Sequence, residues 1–367
     1  MNTLKKNLAE LQQLAKERTV KTQSIEYDLE TLVKKIERNT IKLDPEYQRN
    51  HRWNEETSSK LIESLILNIP VPLVYLSQDV DVDDEADDLA RYSVIDGQQR
   101  LTAIFNFMTN KLVLEGMEVL KPLNGSLYKD LPPFLIRRLE ERTIKCLRID
   151  STLDPQVKYD IFERLNSGSV KLEAQELRNA IYRGPFNKLI KELAKHDDFR
   201  VLNQINLDNP EESKKVQKME DIELVLRFFA LRNNNYKNLK KGFKLFLSES
   251  MEEFNKLSDA ELVLLREKFL KTMKVIREHF GDQAFAKYRF ENGEFVQMSK
   301  FNAAVYDALA IAVVDSIDLD SQDFSKLNKD TFQALFKDTT FFDTVSGSVN
   351  DREKVTKRID AVKGLLK

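Results

Sequence analysis

Apolar positions in the first half of the chain change period several times, a pattern typical of short strands separated by amphipathic helices. Leu4, Leu8, Leu11 and Ala15 recur at helical spacing and predict an amphipathic helix within residues 1–20. Strands are predicted at 24–29, 40–43, 71–76, 111–114 and 143–149, and around Val94. Helices are predicted at 30–38, after Asn54 as N-cap, after Gly97, at 133–141 and at 155–165.

From Phe186 onward the apolar spacing is almost wholly helical, and no strand-like alternation of any length recurs. Asp208-Asn209-Pro210 and Lys214-Lys215 form a polar break in this region. Three parts are therefore expected: an N-terminal helix in 1–20, an α+β domain in 21–190 and an all-α domain in 191–367.

The stretch from Tyr92 to Ile104 carries the clearest local signal. Val94 and Ile95 favour a strand, Asp96-Gly97 favours a turn, and helical spacing begins directly afterwards. The start of a helix presents unpaired backbone N–H groups and a partial positive charge, which together attract anions. Arg100 adds a guanidinium fork one turn into this helix, so the stretch predicts a phosphate or carboxylate site.

A second segment, residues 45–54, is dense in side chains suited to recognition. Tyr47 and Trp53 offer stacking surfaces, Gln48 an amide for base edges, and Arg49 a positive charge for phosphate. The alternative is structural, with Trp53 anchored in the core and Tyr47 packed beneath the loop.

Composition narrows the class of protein. The 367 residues carry a net charge of −2, so any nucleic-acid binding must be local, as at Arg49, His51 and Arg52. No apolar run approaches the ~20 residues that span a bilayer, and the N-terminus lacks a signal-peptide pattern, so a cytoplasmic protein without a membrane segment is expected. A single cysteine, Cys146, excludes an internal disulfide and indicates a small buried residue.

Familiar catalytic templates are missing from the sequence. The three histidines, His51, His196 and His279, are too far apart for a metal motif of the HNH type. The chain also has no P-loop, no Gly-x-Gly-x-x-Gly fingerprint and no Gly-x-Ser-x-Gly elbow.

Several motifs nevertheless occur in a characteristic order. They are Asp44-Pro45-Glu46-Tyr47-Gln48-Arg49, Trp53, Ile69-Pro70-Val71-Pro72, Ile95-Asp96-Gly97-Gln98-Gln99-Arg100-Leu101-Thr102, Phe162-Glu163-Arg164-Leu165-Asn166-Ser167-Gly168 and Glu176-Leu177-Arg178-Asn179. In this order they resemble the family that supplies the N-terminal domain of GmrSD- and SspE-type phage-defence proteins. The resemblance covers roughly residues 20 to 185.

The resemblance implies a fold similar to ParB and sulfiredoxin, with a small mixed sheet and helices in 21–190. It implies that Gly97 to Arg100 hold the phosphates of an NTP (ATP, GTP or CTP), with Mg²⁺, and that Arg164 and Asn166 contribute to phosphate binding. Arg164 can equally be a residue that stabilises its helix C-terminus. Asp96 can hold the metal, orient water or cap the helix, and Gln98 and Gln99 can orient an attacking water.

Family members often carry a C-terminal HNH nuclease domain, which the histidine inventory excludes here. The resemblance therefore implies an NTP-binding or NTP-hydrolysing sensor of a DNA restriction system that acts with a nuclease subunit in trans. Two alternatives stay open: the ParB-like domain cuts or nicks DNA itself, or the protein is a non-enzymatic module that binds DNA, a partner or further copies of itself.

Overall fold

The computed structural model of the protein describes residues 22–43, 53–78, 92–149, 155–165, 173–240, 242–321 and 323–366. The predicted N-terminal helix, the acidic stretch after Gln78 and the candidate residues Tyr47, Gln48, Arg49 and Asn166 lie outside these ranges. The chain divides into two compact units, Met1–Lys171 and Leu172–Lys367, which we call unit 1 and unit 2.

Unit 1 is built on a five-stranded mixed sheet. Its strands are β1 (Thr22–Asp28), β2 (Ile41–Lys42), β3 (Val74–Gln78), β4 (Tyr92–Asp96) and β5 (Thr143–Ile149). Their spatial order is β1-β5-β3-β4-β2. β1 pairs antiparallel with β5 and β3 antiparallel with β4, whereas β3–β5 and β4–β2 are parallel. The predicted α+β class and the small mixed sheet are confirmed.

Five helices accompany this sheet: α1 (Leu29–Glu37), α2 (Glu55–Ile66), α3 (Gln98–Met108), α4 (Pro133–Glu140) and α5 (Pro155–Leu165). Asp28 and Asn54 cap α1 and α2 by accepting the N–H groups of Thr31 and Thr57, and the second cap was predicted. Apolar faces of the first four helices join the inward side chains of the strands in one core. Cys146, in β5, is a buried member of this core, as predicted.

Two predicted strands of unit 1 need correction. Residues 111–114 form no strand, because Lys111 and Leu112 donate back to the carbonyl of Asn106 and the bonds of Leu114 with Gly125 and Ser126 are not continued as a ladder. The strand predicted at 71–76 begins later, at Val74, since Pro72 has no N–H to donate to a ladder.

A carboxylate in α2 fixes the loop that follows α3. Glu63 is buried and accepts the backbone N–H groups of Glu118, Val119 and Leu120 at 3.2, 2.8 and 2.6 Å. Burial by itself raises the pKa of this carboxyl, but the three N–H groups outweigh it and the pKa is lowered. The charged form of Glu63 therefore stabilises the loop.

Unit 2 is mainly helical, as predicted. Its α-helices are α6 (Ala174–Ile181), α7 (Pro185–Leu193), α8 (Asp197–Leu202), α9 (Lys214–Gln217), α10 (Glu220–Leu231), α11 (Phe243–Phe254), α12 (Asp259–Phe280), α13 (Ala303–Ser316), α14 (Lys329–Ala334), α15 (Thr339–Thr344) and α16 (Arg352–Leu365). Helix α13 is almost wholly apolar apart from the buried Asp307, and it is buried through most of its length. A helix of this kind forms the centre of a helical domain rather than its surface.

Unit 2 also contains a hairpin that the sequence analysis missed. Strands β6 (Lys287–Glu291) and β7 (Glu294–Ser299) pair antiparallel, so the expectation of no strand in this half is wrong. Asn292 and Gly293 join them, both with positive φ, at 54° and 87°. Asn-Gly is the residue pair that tight hairpin turns favour, and it was the available signal.

Helix α6 explains where the two units divide. Arg178 is buried and donates to Glu223 of α10 at 2.9 Å and to Ser248 of α11 at 3.4 Å. These contacts assign α6 to unit 2, whereas the sequence-based estimate set the domain boundary at 190/191.

The core of unit 2 encloses a charged cluster. Asp307 of α13 accepts from Arg227 of α10 at 3.0 Å and from Arg358 of α16 at 2.5 Å. The side chains of Asp307 and Arg358 are 0% exposed. Arg358 also donates to the backbone carbonyls of Val349 and Thr344. This cluster ties three helices together at the centre of the unit.

Candidate phosphate-binding site

The predicted strand, turn and helix around Gly97 are all present. Gly97 follows β4, occupies the N-cap position of α3 and has a left-handed φ of 98°. A Cβ at this position would lie 2.9 Å from Val74 Cγ2, closer than packed atoms normally approach. Backbone conformation and the closeness of β3 both therefore require glycine.

The first turn of α3 has the character of an anion site. The helix runs for 11 residues, and no side-chain cap bond from a described residue closes its N-terminus. Asp96, predicted among other roles to cap the helix, does not do so, because Gly97 holds the cap position. The positive end of the helix dipole therefore faces this turn without a carboxylate cap.

Arg100 is folded back over the turn. Its Nη1 donates to the carbonyl of Pro72 and, at 3.0 Å, to that of Leu73, while its Nη2 donates to Asp96 Oδ2 at 2.7 Å. The side chain is 12% exposed. Burial lowers the pKa of the guanidinium, and the charge of Asp96 partly opposes this effect. Arg100 thus joins the turn to the residues that lead into β3.

Asp96 lies on the solvent side of this pair, with its side chain 50% exposed. Its position immediately before the turn leaves the carboxylate accessible to an incoming ligand or ion. Asp96 can turn into water without desolvation, but the guanidinium of Arg100 is largely buried and needs another anion in its place. The pair can therefore exchange one anion for another, such as a phosphate.

The two glutamines have different surroundings. Gln98 is buried, at 4% exposure. Gln99 is partly exposed, and its Oε1 accepts the backbone N–H of Trp53 at 3.1 Å. Trp53 is half-buried and packs against the core of unit 1, in line with the structural alternative for this residue.

The structure thus brings together Asp96, Gly97, Gln98, Gln99, Arg100 and Trp53. Arg164 lies exposed in the last turn of α5. Two participants were missed by sequence reasoning, the carbonyls of Pro72 and Leu73. Backbone acceptors leave no residue-type signal, and the nearness of the Ile69-Pro70-Val71-Pro72 motif to Arg100 follows only from the pairing of β3 with β4.

Metal binding has no preformed centre in the described ranges. No group of three or more His, Cys, Asp or Glu side chains there is arranged to hold an ion.

None of the described helices is long and apolar enough to cross a membrane.

Comparison with known proteins places this geometry in context. Residues 29–183 match the family model described as GmrSD restriction endonuclease, N-terminal domain. The matched region contains β4, the Gly97 turn and α3. No curated protein and no solved structure gives a significant match to the chain.

Proposed function

From the match of residues 29–183 to the family model of the GmrSD N-terminal domain, we propose that the protein is a nucleotide-sensing component of a DNA restriction system. In this proposal the Gly97–Arg100 turn binds the phosphates of an NTP, and a nuclease acting on DNA is supplied by a partner chain. The ParB-like character of the domain is part of the same proposal.

The observation that carries the proposal is the combination of an uncapped helix start with a guanidinium folded over it. Backbone N–H groups of the α3 first turn and the Arg100 fork would share the negative charge of a phosphate. Gly97 supports this use, because its left-handed φ turns the chain sharply from β4 into the first turn of α3.

Binding would require Arg100 to exchange acceptors. The guanidinium is now neutralised by Asp96, so a phosphate would compete with that carboxylate for the same Nη2. The half-exposed position of Asp96 makes the exchange inexpensive. Two like charges, carboxylate and phosphate, would then face one another unless a cation lay between them.

Mg²⁺ fits this arrangement. It is commonly bound by one or two carboxylates together with substrate phosphates, rather than by an all-protein cage. Asp96 would supply the protein ligand, and Mg²⁺ would neutralise charge on the phosphates. Since neither Gln98 nor Gln99 is a strong base, hydrolysis would be slow unless DNA or a partner stimulates it, as suits a switch.

The decisive experiment measures binding of ATP, GTP and CTP to the full chain by calorimetry, and turnover with and without DNA. Arg100→Ala removes a charge-assisted contact worth about 1.5–3 kcal/mol, so affinity for the preferred nucleotide should fall roughly 10- to 100-fold. Arg100→Lys, which keeps the charge but not the fork, should recover part of it.

Arg138→Ala is the matched control, because Arg138 is an exposed arginine of the same unit, on α4. It should bind nucleotide as the unaltered protein does. Folded Arg100 variants with unchanged affinity would refute the phosphate assignment. Nucleotide binding without turnover under any condition would instead favour the non-enzymatic module.

A further inference from the structure

Two consecutive residues of α3 hold opposite ends of one segment. Gln99 Oε1 accepts the N–H of Trp53, which lies just before α2, and Arg100 Nη1 donates to Pro72 and Leu73, which lie after it. Residues 53–73, with α2 between their ends, are therefore fastened twice to the first turn of α3. We call this stretch the bracketed segment.

We propose that Gln99 is a positioning residue, which couples occupancy of the phosphate turn to the bracketed segment through the N–H of Trp53. This inference rests on the function proposed above. It assigns Gln99 a role different from that of orienting water, and the bond that its side-chain oxygen accepts from Trp53 supports this role.

The coupling follows from the shared geometry of the two fastenings. A phosphate that draws Arg100 toward itself weakens its bonds to the carbonyls of Pro72 and Leu73. The far end of the bracketed segment is then loosened, and the bond from Gln99, in the same turn of α3, carries the accompanying shift of that turn to the near end at Trp53. Helix α2 packs directly on α3, so a change at either fastening alters the environment at the start of α2.

The chain provides its own reporter for this coupling. Trp53 is the single tryptophan, so intrinsic fluorescence at 295 nm excitation observes one site, and that site is bonded to Gln99. Its half-buried position makes its emission sensitive to small changes in packing and hydration. The predicted recognition residues Tyr47, Gln48 and Arg49 lie just upstream of this reporter in sequence.

The test titrates ATP, GTP and CTP, with and without Mg²⁺, into the full chain and records both calorimetric heat and Trp53 emission. In the unaltered protein, the nucleotide that binds should change the Trp53 emission. The midpoint of that change should coincide with the midpoint of the calorimetric titration. Compared at saturating nucleotide, so that differences in affinity do not matter, Gln99→Leu should lose most of the emission change. Gln99→Glu, which retains an acceptor of the same length, should keep the emission change at saturation although its carboxylate weakens phosphate binding.

Gln99→Asn gives a second variant, polar but one methylene too short to reach Trp53, in case the leucine variant is poorly folded; it too should lose the response. The inference is overturned if nucleotide binds without changing the emission, or if the leucine and asparagine variants respond as the unaltered protein does. Failure of every nucleotide to bind the unaltered protein overturns the proposed function and this inference together, and the calorimetric trace distinguishes the two cases.

Discussion

Two aspartate–arginine groups, one in each unit, use the same chemistry for different ends. In unit 2, Asp307 is shared by Arg227 and Arg358 in a core that water does not reach. In unit 1, Asp96 forms an ion pair with Arg100, and half of the Asp96 side chain is exposed. The first group cannot change partners without unfolding its surroundings, whereas the second can do so at the surface.

The contrast shows that an ion pair by itself does not mark a site. A buried pair is committed to the fold, because removing either partner leaves an uncompensated charge in the interior. A half-open pair beside a helix N-terminus is available to a ligand. Glu63 is an intermediate case. Its carboxylate is buried, but backbone N–H groups and not a cation stabilise its charge.

The largest effect is expected in the core of unit 2. Asp307→Asn removes the counter-charge of the buried Arg358 and the nearer of the two carboxylates at Arg227, and should lower the free energy of unfolding by about 3–5 kcal/mol. Chemical denaturation measures this directly. Glu267→Gln, on an exposed face of α12, removes a carboxylate charge without this consequence and serves as the control. Equal stability of the two variants would contradict the contrast.

An intermediate effect is expected at Glu63. Glu63→Gln weakens three bonds to a charged acceptor and should cost about 1–3 kcal/mol at neutral pH, compared with the exposed control Glu141→Gln. Because the folded pKa of Glu63 is lowered, its contribution is complete above the ordinary value of 4.5 and is lost as pH falls through the folded pKa.

Denaturation curves collected from pH 7 downward should therefore show the gap between unaltered protein and Glu63→Gln closing in acid. A gap that stays constant over this range would mean that the charge of Glu63 is not what holds the loop.

The smallest effect on stability is expected at the turn itself. Asp96→Asn should change the free energy of unfolding by about 0–1 kcal/mol, as for other exposed pairs. Without Mg²⁺ it should raise nucleotide affinity by up to about fivefold, because Arg100 is released from its competitor. With Mg²⁺ the advantage should disappear, since Asp96 is the proposed metal ligand. Reduced affinity in the absence of metal would contradict partner exchange.

Local chemistry decided how much of the molecule could be predicted. The strand before Gly97, the turn and the helix after it were predicted because each has a signal in adjacent residues: β-branched residues, turn residues and helical spacing. The Asn54 cap and β5 were found for the same reason. The β6–β7 hairpin carried an equally local signal at Asn292-Gly293 that the strong helical pattern around it obscured.

Contacts between distant segments were beyond sequence reasoning. Nothing near Arg100 indicates that its fork meets the carbonyls of Pro72 and Leu73, nor does the sequence around Gln99 point to the N–H of Trp53. Helix α6 carries four buried polar residues, and two of them, Arg178 and Asn179, bond side chains far along the chain that the local sequence does not indicate. These features depend on the order of strands and the packing of helices.

The position of Cys146 makes its thiol a chemical probe of local opening in unit 1. The thiol is buried between β1 and β3, and burial raises its pKa to about 11, so in the folded protein it is neither accessible nor ionised at neutral pH. Because it is the single thiol of the chain, the rate at which an alkylating reagent consumes it reports how often this part of the sheet opens to solvent, and equals the opening rate when the reagent reacts faster than the sheet recloses. Alkylation of Cys146 thus measures excursions of β5 from the native state.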